Sequence, residues 1–268
     1  MALIMSELIT KLKDIIVTAG EIALDCKLSG ITISHKKDHS PVTNADKAIS
    51  DYIYKKISIL TPNITIICEE RPLVALTTQT FWLIDPIDGT RSFIRNEDNY
   101  TVNIGLIKDS IPTIGLIYKP ENRRLYYTDA NNKLNIEENG KRIHNDLDKN
   151  KKDYVAVVGS HYFNRATKYF LKNKLISEVI SIPSSIKLCM IAEGRADIYP
   201  RFGQTMEWDI AAGHALIIAS GGDITDFTGN RITYGKPLFA NPNFFALSKY
   251  WPHKLPLLPL SKKAIKEN

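Results

Sequence analysis

Cysteine is scarce in this sequence: Cys26, Cys68 and Cys189 are its three, far apart and each set among apolar residues. An odd, scattered set excludes a disulfide framework and a zinc knuckle, and fits reduced thiols in a cytosolic protein. Long apolar runs are missing too. None approaches the roughly 20 residues that span a bilayer. The N-terminal MALIMSELITKLKDIIVTAG is interrupted by Glu7, Lys11, Lys13 and Asp14, which a signal peptide would not tolerate. There are no internal repeats and no low-complexity tracts. Positive charge is also thin over most of the chain. The net charge is +6, but residues 249–268 hold five lysines against one glutamate, leaving +2 for the body. A body so nearly neutral gives little reason to expect a nucleic-acid partner.

The basic tail, KYWPHKLPLLPLSKK, mixes cations with Trp251 and leucines as lipid-headgroup binders do. Pro252, Pro256 and Pro259 forbid a regular helix there. Packing against the body is the favoured reading; peripheral contact with the cytoplasmic face of an inner membrane is the alternative.

What is present is an ordinary globular composition, 44% apolar and 24% charged, in a chain long enough for one domain or two subdomains. Leu8, Ile9, Leu12, Ile15, Ile16, Ala19, Ile22 and Ala23 recur at helical spacing and predict a helix over 6–28. A polar loop, HKKDHSPVTNADK, leads into a second helix from about Asn44 to Leu60. ITIICEE and FWLIDPIDGT read as strands ending in acid, and YTVNIGLIKDS, IPTIGLIYKP and RRLYYTDANN as an antiparallel meander. The polar KRIHNDLDKNKKD marks a boundary between a part at 1–150 and a part at 151–268. Beyond it YVAVVGS reads as a strand, RATKYFLKNKL as a helix, SSIKLCMIAEG as a helix closed by Gly194, and ADIYPRF as a strand. A last helix starts at or just after Asp209 in WDIAAGHALIIASGG, with glycines as its C-cap.

Acids therefore stand at the ends of three elements: Glu69 and Glu70, Asp85 and Asp88, and Asp209. Each has a modest explanation alone, such as a solvated strand end, turn chemistry, or an Asp N-cap. Together they suggest a hard-cation site, since carboxylates converging in one cleft repel each other unless a divalent ion neutralises them. A set without His or Cys points to Mg2+. Beside DGT, where the N–H groups of Gly89 and Thr90 face outward if a helix begins near Arg91, this implies phosphomonoester hydrolysis. An aspartyl-phosphate route is the rival, but it uses Asp-x-Asp, and the spacing here is Asp-x-x-Asp.

Three blocks, PVTNADKAI at 41–49, EE followed by WLIDPIDGTRSFI, and WDIAAGHALIIASGG at 208–222, resemble the lithium-sensitive, Mg2+-dependent phosphatases of the inositol monophosphatase superfamily. IDPIDGTRSFI, SSIKLCMIAEGRADIYPRFGQTMEWD and LFANP look most like its bacterial 3'(2'),5'-bisphosphate nucleotidase branch. The resemblance implies an α/β (α+β) fold layered αβαβα, with the site between the two parts. It implies two or three Mg2+ ions, one held by Glu69, Asp85 and the Ile87 carbonyl and a second by Asp85, Asp88 and Asp209. Thr90 and Asp46 would orient the attacking water. Glu69, Ile87, Asp88, Gly89, Thr90 and Asp209 would face the substrate, with Ser160 and His161 across the cleft.

The implied substrate is a small nucleotide bisphosphate, adenosine 3',5'-bisphosphate, cleaved to AMP and phosphate. An inositol monophosphatase or fructose 1,6-bisphosphatase activity is the near alternative, and a non-catalytic binder of RNA or membrane the distant one. Lys187 and Arg201 are candidates for a second phosphate, with surface salt bridging the competing reading. His214, on an apolar helix face, reads as a packed histidine.

Overall fold

A computed structural model of the chain describes residues 2–36, 38–143, 153–160, 164–172 and 176–252. Helix α1 (Ala2–Ser29) leads through the short hairpin β1 (Ile33–His35) and β2 (Pro41–Thr43) into α2 (Asn44–Leu60). Thr43 starts α2 with a capping box: its hydroxyl accepts from the Asp46 N–H, while the Asp46 carboxylate accepts from the Thr43 N–H. The apolar stripes of both helices, including Leu12, Ile16, Ala19, Ile49, Ile53 and Ile57, lie on one face of a seven-stranded sheet.

That sheet runs in chain order: β3 (Thr65–Cys68), β4 (Thr80–Asp88), β5 (Thr101–Lys108), β6 (Ile111–Lys119), β7 (Arg124–Thr128), β8 (Leu134–Glu138) and β9 (Lys141–Arg142). β3 and β4 are parallel and every later pair is antiparallel, so the expected meander forms. The short helix α3 (Thr90–Ile94) follows β4.

The remaining elements are β10 (Tyr154–Val158), α4 (Arg165–Phe170), β11 (Ile176–Ser181), α5 (Ile186–Glu193), β12 (Ile198–Arg201), β13 (Thr205–Met206), α6 (Glu207–Ala219), β14 (Asp223–Thr225), β15 (Ala240–Asn241) and β16 (Phe244–Leu247). Five strands form a second sheet in the order β11-β10-β12-β16-β14. α5 and α6 lie between the two sheets, where Leu188, Ile191, Ala212 and Leu216 pack with Leu83 and Ile117 of one and Val157 and Phe244 of the other. α4 covers the outer face of the second sheet through Ala166 and Phe170. The layers are thus αβαβα, as the resemblance implied.

The middle layer depends on missing side chains. A Cβ on Gly115 of β6 would stand 2.2 Å from the Ala212 carbonyl oxygen, and one on Gly105 of β5 would stand 3.0 Å from the Ala211 Cβ. Glycines below and alanines above let α6 settle directly on the sheet.

The helix expected near Arg91 is α3, which begins at Thr90 with Gly89 as its N-cap at φ 96°. Two expectations need correction. α6 begins at Glu207, so Asp209 is not its N-cap but the third helical residue, accepting from the Met206 N–H at 2.8 Å. The helix at RATKYFLKNKL spans only Arg165–Phe170, and ISEVIS after it is a strand. At the tail, Trp251 is 2% exposed and meets Tyr154 edge-on, so the chain packs on the body that far. Residues 253–268 lie outside the described residues.

Candidate active site

β4 is buried along its length and surfaces at Asp88. In a regular strand, residues three apart point to opposite faces, so Asp85 and Asp88 should diverge. The ladder to β5 prevents this: Asp85 pairs with Asn103 and Asp88 with Thr101, leaving one extra residue on β4. This bulge, at Pro86 and Ile87, turns both aspartates to one side. The parallel neighbour β3 ends beside Asp85, and the next N–H, that of Glu69, bonds the Ile84 carbonyl at 3.1 Å. The first turn of α6 brings Asp209 in from the opposite layer.

One carboxylate oxygen from each of Glu69, Asp85 and Asp209 lies within 4.8 Å of the others. Burial, then the neighbouring charges of Glu69, Asp88 and Asp209, pushes the Asp85 carboxyl well above the ordinary range. Asp209 is raised the same way, by burial and then by Asp88 and Glu69. Burial lifts Asp88 to about 6 against the opposing pull of Lys187. The Asp85 Oδ1 atom is buried and accepts no hydrogen bond. A hard divalent cation fits this donor set, because it satisfies the orphaned oxygen and cancels the mutual repulsion.

Around the acids stand the other expected groups. The Thr90 hydroxyl has the Ile87 carbonyl at 3.0 Å and Asp46 Oδ1 at 3.5 Å as acceptors. Asp46 Oδ2 is committed to the capping box, accepting from the Thr43 N–H at 2.8 Å and hydroxyl at 2.6 Å. Burial raises the Asp46 carboxyl, with the Thr43 bonds opposing.

A cavity of about 320 Å³ opens over the cluster. Glu69, Asp85, Ile87, Asp88, Gly89, Thr90 and Asp209 line it, and Ser160 joins them from the end of β10. Asp46 is not in its wall, and its hydrogen-bond link to the wall is through Thr90. His161 falls outside the described residues. Lys187 and Arg201 also line the cavity, at 7% and 6% exposure, so surface salt bridging does not describe them. Lys187 is held by the Ile182 and Ser184 carbonyls, and burial pushes its ammonium down to about 8 while Asp88 opposes. Arg201 is tied to the carbonyls of Gly203 and Gln204. His214 is fully buried between the Tyr234 hydroxyl and Asp223, each at 2.9 Å, a packed histidine as expected.

Two features escaped the sequence reading. Lys36, from the loop read only as polar, reaches Glu69 and Glu70 at 2.7 Å each and covers one flank of the cluster. Burial lifts Glu70 to about 7, with Lys36 opposing. Thr101, Asn103 and Ser185 form a buried polar cluster behind Asp88. Its signal was there to find: Thr and Asn at alternate positions of an otherwise apolar strand, TVNIGLI.

The sequence profile of the inositol monophosphatase family matches residues 5–257. A 3'(2'),5'-bisphosphate nucleotidase CysQ from Salmonella typhimurium is 39% identical over 215 residues, 79% of this chain and 87% of that one. The CysQ of Buchnera aphidicola is 36% identical over 222 residues, 81% of this chain and 83% of the relative. The crystal structure of CysQ from Bacteroides thetaiotaomicron superposes with a TM-score of 0.78 at 28% identity, covering 91% of this chain and 98% of that one. With the family profile matched over residues 5–257 and a relative 39% identical over most of both chains, the chain belongs to the inositol monophosphatase family.

Proposed function

We propose that this chain is a Mg2+-dependent phosphatase that hydrolyses adenosine 3',5'-bisphosphate to AMP and phosphate. The observation that carries this reading is the convergence of Glu69, Asp85 and Asp209 within 4.8 Å, with a buried, unsatisfied oxygen on Asp85. Glu69, Asp85, the Ile87 carbonyl, Asp88 and Asp209 would hold two or three ions, with Asp85 shared. Bound there, Mg2+ supplies the missing positive charge, polarises the phosphoryl group and lowers the pKa of water.

The chain's own groups orient the reactants. The Thr90 hydroxyl has one proton and two acceptors, Ile87 O and Asp46 Oδ1. When the Ile87 carbonyl is otherwise engaged the proton turns to Asp46, leaving an oxygen lone pair to receive the attacking water. Asp46 is a weak base, and it acts by holding that hydroxyl in one orientation. Gly89 and Ser160 border the space for the substrate.

The near alternative is an inositol phosphate or fructose 1,6-bisphosphate phosphatase. Two buried cations, Lys187 and Arg201, favour a substrate with a second anionic group, and CysQ relatives bear the bisphosphate nucleotidase name. Residues 1–150 would supply Glu69, Asp85 and Asp88, and residues 151–268 Asp209 with the cationic wall. Free thiols at Cys26, Cys68 and Cys189 fit a cytoplasmic setting.

Phosphate release from adenosine 3',5'-bisphosphate, inositol 1-phosphate and fructose 1,6-bisphosphate, with Mg2+ or EDTA, tests the proposal. The highest kcat/KM is expected for the nucleotide, with no turnover in EDTA. Full-rate turnover in EDTA, or no release from any of the three, would remove it. Truncation after residue 252 is expected to preserve turnover, whereas a membrane or RNA binder would lose its affinity.

A further inference from the structure

At the back of the cavity, which Ser185 lines, Thr101, Asn103 and Ser185 are 0%, 1% and 2% exposed and bond one another. The Ser185 hydroxyl donates to Asn103 Oδ1 at 2.9 Å, which uses its single proton. The Thr101 hydroxyl, 2.7 Å from the Ser185 oxygen, must then be the donor in that contact. The relay therefore runs in one direction, from Thr101 through Ser185 to Asn103, and it fixes the amide with its oxygen turned to Ser185.

The Asn103 Nδ2 is left buried and without a hydrogen-bond partner. The Asn103 side chain lies on the same face of the sheet as Asp88, because cross-strand partners share a face and so do residues two apart on one strand. Thr101 and Asn103 are also the cross-strand partners of Asp88 and Asp85. The strand pairing that carries both aspartates thus carries the relay as well.

We propose that Asn103, oriented by Ser185 and Thr101, is a positioning residue for Asp88 and so sets the affinity of the site for Mg2+. This rests on the reading of Asp88 as a metal ligand. A ligand carboxylate keeps its useful rotamer only when its other lone pairs are engaged, and outer partners of this kind typically change metal affinity by about 10–100-fold. Ser185 opens α5, the helix of Lys187, so the relay also fixes the cationic wall relative to the acidic one.

The experiment is titration of the full chain with Mg2+ and Mn2+ by calorimetry, beside kcat as a function of Mg2+. Asn103→Ala is expected to weaken metal binding by about 10-fold or more, with kcat at saturating Mg2+ within a few-fold of wild type. Asn103→Ser, which retains a donor, is expected to recover part of the loss. Thr101→Val, nearly isosteric and one step further back, is expected to weaken binding by a smaller factor.

Wild-type metal affinity in a folded Asn103→Ala, with affinity lost in Asp88→Asn, would overturn the relay and leave the phosphatase reading intact. Unchanged affinity in Asp88→Asn would remove Asp88 as a ligand, and the relay proposal with it. If Asn103→Ala does not fold, Thr101→Val decides, and unchanged affinity there overturns the proposal.

Discussion

Glu207 and Asp209 sit two residues apart in the first turn of α6, both part of a helix start packed against the sheet, and their surroundings differ completely. The Glu207 side chain, 0% exposed, accepts from the Gly235 N–H at 2.8 Å and the Lys236 N–H at 2.9 Å, with the Lys236 ammonium at 2.8 Å. Its charge is balanced inside the chain. Asp209 accepts one N–H, from Met206, and then faces Asp85, Asp88 and Glu69. One region is an electrostatically closed structural site. The other gathers four carboxylates, which Arg201 and Lys187 offset only in part. A buried carboxylate set mainly among other carboxylates is therefore the better mark of function here than burial or position on the helix.

Conservative amides should separate the two most widely. Asp209→Asn is expected to lower kcat/KM by about 10³-fold, the several kcal/mol that a correctly held metal contributes. It should leave the metal-free melting temperature unchanged or higher, because it removes a repelling charge. Glu207→Gln should do the reverse, costing about 3 kcal/mol by breaking a buried charge-assisted set. Its specific activity per folded molecule should hold. Saturating Mg2+ should raise the melting temperature of wild type and Glu207→Gln by mass action, and leave Asp209→Asn nearly unmoved. If Asp209→Asn melted low and Glu207→Gln melted normally, the assignment of the two roles would be reversed.

Acidity offers a smaller test of the same contrast. Asp88 titrates at about 6 in the fold against an ordinary 3.8, so the folded state binds the extra proton. Its contribution to stability is therefore present below pH 3.8 and lost as pH rises through about 6. His214 has the opposite sign: burial lowers its pKa from 6.5, so its contribution is full above pH 6.5 and lost as pH falls through the folded value. In EDTA, going from about pH 5 to about pH 7 should cost the metal-free protein on the order of 1 kcal/mol at the acidic cleft, allowing for partial exposure. Excess Mg2+ should abolish this loss and leave the His214 component, measured by urea unfolding at both pH values. A loss of equal size with and without Mg2+ would place its origin outside the cleft.

How much of this was legible follows from the range of the interactions. The order of the first helices and strands and the acid set come from local signals, namely helical periodicity in α1 and α2, strand runs that end in acid, and turn residues after them, whereas the layering came only with the resemblance of the three blocks. The bulge that reconciles Asp85 with Asp88 needs the register of β5, which no local pattern in IDPIDGT encodes. β11, β14 and β16 are short strands of 6, 3 and 4 residues whose pairing is non-local, so their sequences carry little period. Glu207 and Asp209 look alike in EWD because the difference between them is a turn at 235–236, nearly thirty residues on. Lys187 reads as an anomaly in an apolar helix, and only the packing of α5 shows that it faces the acids.

Asp46 stands between the two regions and gives the finest test of the distinction. Its Oδ2 is closed by Thr43, as Glu207 is by its turn, while Oδ1 looks across 3.5 Å to Thr90. Thr43→Ala removes the hydroxyl from the capping box and should cost about 1 kcal/mol of stability. If Asp46 serves the site only through a fixed carboxylate, that loss should come with a drop in kcat of a few-fold and little change in KM. The Thr43 N–H remains to hold Oδ2, so the carboxylate loosens without swinging away. Thr43→Ser, which keeps the hydroxyl, should restore both quantities together. Stability lost with kcat intact would make Asp46 a capping residue alone, and would move the orientation of the Thr90 hydroxyl wholly to the Ile87 carbonyl.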